Sequence, residues 1–130
     1  MVNDGKTLPA ALDIEYNPYG SECYGFSQSS MRAWISQWVD EYHALTKVWP
    51  AIYSTTDWWS TCTGNWPGPS KNDPLWIARY STSAGALPAG YKVYTFWQYS
   101  SSGSIPGVSP VDLDRFNGPE SQLVKLAKNG

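Results

Sequence analysis

The sequence predicts an α/β fold that opens with parallel βαβ units. Three observations predict it. An apolar run from Leu8 to Tyr16 reads as a buried strand. A long helical repeat follows it, and short aromatic-rich strands follow the helix. The order is strand, helix, strand, short helix, strand, strand, strand. That order suits parallel pairing first, then a region in which the crossover helices have shrunk or vanished.

Each element has its own signal. Asn17-Pro18-Tyr19-Gly20 is a turn. From about Ser27 to Thr46, the residues Met31, Trp34, Ile35, Trp38, Val39, Tyr42 and Leu45 recur at three- and four-residue spacing, with Ser27 as N-cap. Pro50 stops this helix, and Ala51 to Ser54 is a short strand. Thr56-Asp57-Trp58-Trp59 opens a short helix that ends near Gly64; Trp58 and Trp59 are adjacent, so one of the two is expected outside. Residues 65–73 are a Pro/Gly loop, Leu75 to Tyr80 a strand, Ser81 to Gly90 a second loop, and Tyr91 to Tyr99 a strand. Ser100 to Ser104 reads as a polar loop and Val111-Asp112-Leu113 as a last short strand. Pro119 starts a terminal helix with Leu123, Val124 and Leu126 inward. Residues 1–130 are expected to form a single domain.

Composition narrows the function. A net charge of −2 with no basic run argues against nucleic acid. No stretch is long and apolar enough for a membrane span, and Met1 to Lys6 is too polar for a signal peptide. The 8 Trp and 9 Tyr against 3 Phe suit stacking on sugar rings, although a large aromatic core looks similar. Cys23 and Cys62, the only cysteines, lie in turn-like segments, which favours a disulfide and an oxidising compartment over two free thiols.

Asp13 and Glu15 are the chemical signal. Residues two apart on a strand share a face, with Cα atoms about 6.6 Å apart, so both carboxylates point one way while Leu12, Ile14 and Tyr16 point the other. A pair on one strand approaches a glycosidic bond from one side. That suits substrate assistance, in which the sugar's own acetamido oxygen attacks. A solvated edge strand or a metal site are the other readings. The only histidine, His43, is expected on a solvated helix face, which argues against zinc and against a Ser- or Cys-nucleophile hydrolase. Asp112 and Asp114 form a second alternating pair, which reads first as a solvated loop. Trp76 and Tyr80 share a strand face, as do Trp97 and Tyr99; each set is either a sugar-stacking wall or core. Arg79 is expected to pair with Asp73 on the surface.

Taken together, Leu8 to Pro18, Ser30 to Ile35, Ile52 to Trp59, Cys62-Thr63-Gly64, Pro74 to Tyr80, Thr95 to Tyr99 and Val111 to Gly118 resemble the glycoside hydrolase family 25 muramidases, the Chalaropsis-type lysozymes. The resemblance implies an irregular TIM-like β/α barrel, of which this chain lacks the first three strands. It implies an N-acetylmuramidase that cuts the β-1,4 bond between N-acetylmuramic acid and N-acetylglucosamine in peptidoglycan, secreted and without metal or organic cofactor. By carry-over Glu15 is the general acid/base and Asp13 steers the 2-acetamido group. The aspartate of the last strand falls on Asp112, with Asp114 a weaker match. Tyr53, Trp76, Tyr80, Trp97 and Tyr99 match groove-lining aromatics, and Cys23–Cys62 matches the disulfide of the secreted branch. A missing N-terminal half of the barrel is an implied partner. The alternatives are a non-catalytic glycan-binding remnant, a chitinase-like hydrolase and an inactive fragment; the chitinase strand signature is absent upstream of Asp13.

Overall fold

A computed structural model describes residues 4–129, and for residue 129 the backbone alone. Met1 to Asn3, part of the polar N-terminus, lie outside the described residues. The chain forms one five-stranded sheet in the order β1 (Ala11–Asp13), β2 (Ala51–Ser54), β3 (Leu75–Ala78), β4 (Phe96–Ile105), β5 (Val108–Phe116). The first three pairings are parallel and the last is antiparallel. Helices α1 (Gln28–Thr46) and α2 (Thr56–Thr63) connect the parallel strands, and α3 (Glu120–Asn129) closes the chain.

The helix bounds follow from local chemistry. The Ser27 side chain accepts from the Ser30 backbone N–H and caps α1. Thr55 caps α2 in the same way through Trp58 N–H. Gly64 ends α2 at φ 70°, a left-handed conformation that favours glycine over residues with a Cβ. Met31, Ile35 and Val39 of α1 pack on Leu12, Ile14 and Ile52 of the sheet, together with Trp58, Trp59 and Cys62 of α2. A second cluster joins Leu75, Ile77 and Trp97 to Ala84 in the loop beyond β3.

Several expectations need correction. β1 is three residues long, so Glu15 stands past its end. Tyr16 is exposed and donates to Asp57 at 2.8 Å instead of lining the apolar face. Trp34, Leu45 and Val124, expected inward, are exposed. Trp58 and Trp59 are both buried. The short α2 is flanked on two sides, with Trp58 Nε1 donating to the Glu22 carbonyl and Trp59 Nε1 to the Trp66 carbonyl. His43 is half-buried, its ring stacked on Trp49 at 3.7 Å. The polar stretch 100–104 continues β4 into a hairpin, held by pairing of Gly103 with Val111 and Ile105 with Val108. Residues 91–95 precede the strand instead of starting it. Asp73 does not pair with Arg79 on the surface. It is 5% exposed, and its Oδ1 has no hydrogen-bond partner.

Candidate active site

Register decides which side chains meet. Asp13 is aligned with Tyr53, Tyr53 with Trp76, Trp76 with Phe96, and Phe96 with Phe116. Aligned residues of neighbouring strands share a face, so this row defines the front of the sheet. Gln98 and Asp114, themselves aligned, continue the front face two residues further along.

Asp13 and Glu15 come together as the strand period requires. Glu15 follows the C-terminal end of β1, where the backbone stays extended enough for Ile14 N–H to donate to the Tyr53 carbonyl at 3.0 Å. Asp13 is exposed and Glu15 half-buried. Burial pushes the Glu15 carboxyl above the ordinary range. The Asp13 charge and a hydrogen bond between the two carboxyl groups push it further the same way. The two groups thus differ in kind: one is poised to hold a proton and the other is open to water. The Tyr24 hydroxyl donates to the Glu15 carbonyl at 2.8 Å. One residue earlier, Cys23 is bonded to Cys62 of α2, with Cα atoms 5.4 Å apart. The loop that follows the acid is therefore fastened to the second helix.

The aromatic residues divide. Tyr53 and Trp76 meet edge to face at 5.0 Å. Tyr53 also lies near both carboxylates; its hydroxyl is pushed up by burial first, then by the Glu15 charge. Trp76 Nε1 donates to Asp114 Oδ1 at 2.7 Å. Tyr80, 58% exposed, stands past the end of β3 and donates to Gln98 Oε1. These three aromatics and Asp13/Glu15 share the front of the sheet. Trp97 and Tyr99 do not. The alternation of β4 sends them to the back, where Trp97 is 6% exposed in the second apolar cluster, Tyr99 packs against it and Arg115 lies 5.6 Å from both ring centroids. Asp112 is exposed on β5, beyond a register shift that separates it from the Gln98–Asp114 pair. Asp114 is therefore the carboxylate of that segment tied to the front row. Gln98 is the front-face residue that sequence reasoning missed. Its one signal was its place between Trp97 and Tyr99.

Beside the front face, Asp13, Ile14, Tyr24, Phe26, Met31 and Trp34 enclose a pocket of about 350 Å³ at the free edge of β1. Among the described residues no third acidic, His or Cys side chain joins the pair in a metal-binding group. The arrangement offers a proton donor with a raised pKa, an adjacent acceptor carboxylate, and a half-exposed aromatic wall with fixed hydroxyls. It can protonate a leaving oxygen and hold a polar ring substituent.

A profile of the Glycosyl hydrolases family 25 matches residues 1–108. The chain is 46% identical to Lysozyme M1 of Streptomyces globisporus over 97% of its own length and 43% of that protein. It is 39% identical to the N,O-diacetylmuramidase of Chalaropsis sp over 95% of its length and 57% of that protein. Among solved structures, the muramidase from Acremonium alcalophilum superposes with a TM-score of 0.91 at 52% identity, covering 99% of this chain and 60% of that one. The bacterial lysozyme from Streptomyces coelicolor superposes with a TM-score of 0.93 at 45% identity, covering 98% and 59%. The chain thus spans about half the length of the curated relatives it matches. With the profile covering most of its residues and the fold shared with solved muramidases, the chain belongs to family 25 of the glycosyl hydrolases.

Proposed function

We propose that this chain carries the acid/base pair and aromatic wall of an N-acetylmuramidase, which hydrolyses the β-1,4 bond between N-acetylmuramic acid and N-acetylglucosamine in peptidoglycan. The observation that carries the reading is the same-side pair Asp13/Glu15, with Glu15 held toward its protonated form. Glu15 gives its proton to the leaving glycosidic oxygen. Asp13 accepts from the N–H of the 2-acetamido group and turns its carbonyl oxygen toward the anomeric carbon, which that oxygen attacks as the C–O bond breaks. The Glu15 carboxylate then takes a proton from water, whose oxygen reopens the ring intermediate and regenerates the acetamido group. Trp76, Tyr53 and Tyr80 bear on the sugar faces.

Asp114, which accepts from Trp76 Nε1 on the front face, is assigned the supporting role that the family resemblance gives to Asp112. The names of the relatives, muramidase and lysozyme, support the substrate class. The Cys23–Cys62 bond supports an extracellular site of action. The free edge of β1, together with the length of the relatives beyond the matched region, supports a further β/α segment as the groove's second wall.

Mass spectrometry of purified peptidoglycan incubated with the chain tests the reading. New reducing ends on muramic acid are expected, reduced about 10²- to 10⁴-fold in Glu15→Gln. Equal cleavage by Glu15→Gln, or no new ends from the folded wild-type chain, would overturn it.

A further inference from the structure

Gln98 is 5% exposed in the middle of the front face. Its Oε1 accepts two hydrogen bonds, from the Tyr53 hydroxyl at 2.7 Å and the Tyr80 hydroxyl at 2.9 Å. A carbonyl oxygen has two lone pairs, and both are used here. Strand β3 lies between Tyr53 and Gln98, and at the register position of Gln98 it carries only the Ala78 methyl, which leaves the path across it open. With both hydroxyls on Oε1, the nitrogen lies at the other end of the amide, away from the two tyrosines.

The nitrogen end is unspent. Among the described residues nothing accepts from Gln98 Nε2, yet this atom is not one of the sealed polar atoms that lack a partner. It therefore opens onto the front face. A nearly buried amide locked at one end, with two N–H groups left at the other, is a rigid donor awaiting an acceptor. Tyr53 links it to the carboxylates, whose charges reach that hydroxyl.

We infer that Gln98 is a specificity-determining residue whose Nε2 donates to the carbonyl oxygen of a substrate 2-acetamido group. The assignment rests on the muramidase reading and deepens it. An acetamido group has one donor and one acceptor. Asp13 suits the N–H, and Gln98 supplies the complementary donor for the carbonyl. That oxygen has two lone pairs, so one stays free to attack the anomeric carbon. Tyr53 and Tyr80 act here as positioning residues that hold the oxygen end of the amide.

The test measures calorimetric binding of two neutral tetrasaccharides, an N-acetylated chito-oligosaccharide and a cello-oligosaccharide that has hydroxyls in place of the acetamido groups. Gln98→Glu keeps an oxygen for both tyrosines but presents no N–H. The wild-type chain is expected to prefer the acetylated sugar, and Gln98→Glu to lose about tenfold of that preference while binding the cello-oligosaccharide as before. Gln98→Met, neutral and of similar volume, gives the same reading if the carboxylate variant fails to fold. Preference unchanged in both variants overturns the assignment. An equal loss for both sugars also overturns it and leaves Gln98 as a prop for the tyrosines. A wild-type chain that binds both sugars equally overturns the assignment alone; one that binds neither overturns the muramidase reading with it.

Discussion

The two faces of the sheet are built on different rules. On the back, Leu12, Ile52, Leu75, Ile77 and Trp97 are each less than a tenth exposed and touch apolar neighbours from α1, α2 and the loop beyond β3. On the front, Tyr53, Trp76, Gln98 and Asp114 meet through directed contacts: phenol to amide, indole to carboxylate, ring edge to ring face. The back is stabilised by area and volume, which tolerate exchange among apolar residues of similar size. The front depends on which atom donates and which accepts, so an isosteric change of polarity suffices to spoil it. Fold and chemistry are thus separated by the thickness of one sheet.

Substitutions on the two sides should separate stability from turnover. The largest effect belongs to the back. Trp58→Ala removes a fully buried ring between β1, α1 and α2 and is expected to cost about 3–5 kcal/mol, read as a lower midpoint in a denaturant titration. A cost below 1 kcal/mol would mean that this cluster is not the core.

Asp73 comes next. Burial, then the Asp40 charge, push its carboxyl up to about 7. The folded value lies above the unfolded one, so its contribution is fully present in acid and is lost as pH rises through 7. Stability is expected to fall between about pH 4 and 7, by at most about 1.4 kcal/mol per pH unit. Asp73→Asn should flatten that slope, and an unchanged slope would place its origin elsewhere.

The smallest shift belongs to the front. Asp13→Asn removes the neighbouring charge that helps raise Glu15. The basic limb of the pH–rate profile for peptidoglycan cleavage should move to lower pH, with little change in thermal midpoint. A limb that stays in place would detach Asp13 from the acid.

The sequence made local features legible and left cross-strand ones hidden. Ser27 to Thr46 could be read almost to the residue, because the cap, the apolar period and Pro50 all act within a few positions. The Asp13/Glu15 pair was legible because period two acts within a single strand. Trp97 and Tyr99 were ambiguous. Alternation shows that they share a face, but which face is the groove depends on partners such as Ile77, twenty residues upstream of Trp97. Gln98 was invisible for the same reason, since its bond to Tyr53 spans 45 positions and exists only once β2, β3 and β4 are in register. The arm at 100–104 lacked a strand signal because largely exposed serines and a glycine carry no apolar alternation.

The fastening of the loop after Glu15 bears on when order is acquired. Tyr24 holds the Glu15 carbonyl, and the adjacent Cys23 is covalently joined to α2. A segment tied at both ends has little freedom left to lose when a sugar chain arrives. Its ordering is settled once, when the two sulfurs are oxidised, and would not be repeated at each encounter with the proposed substrate. On the muramidase reading proposed above, Glu15 is in that sense installed when the bond forms, and each turnover would start from a position already taken.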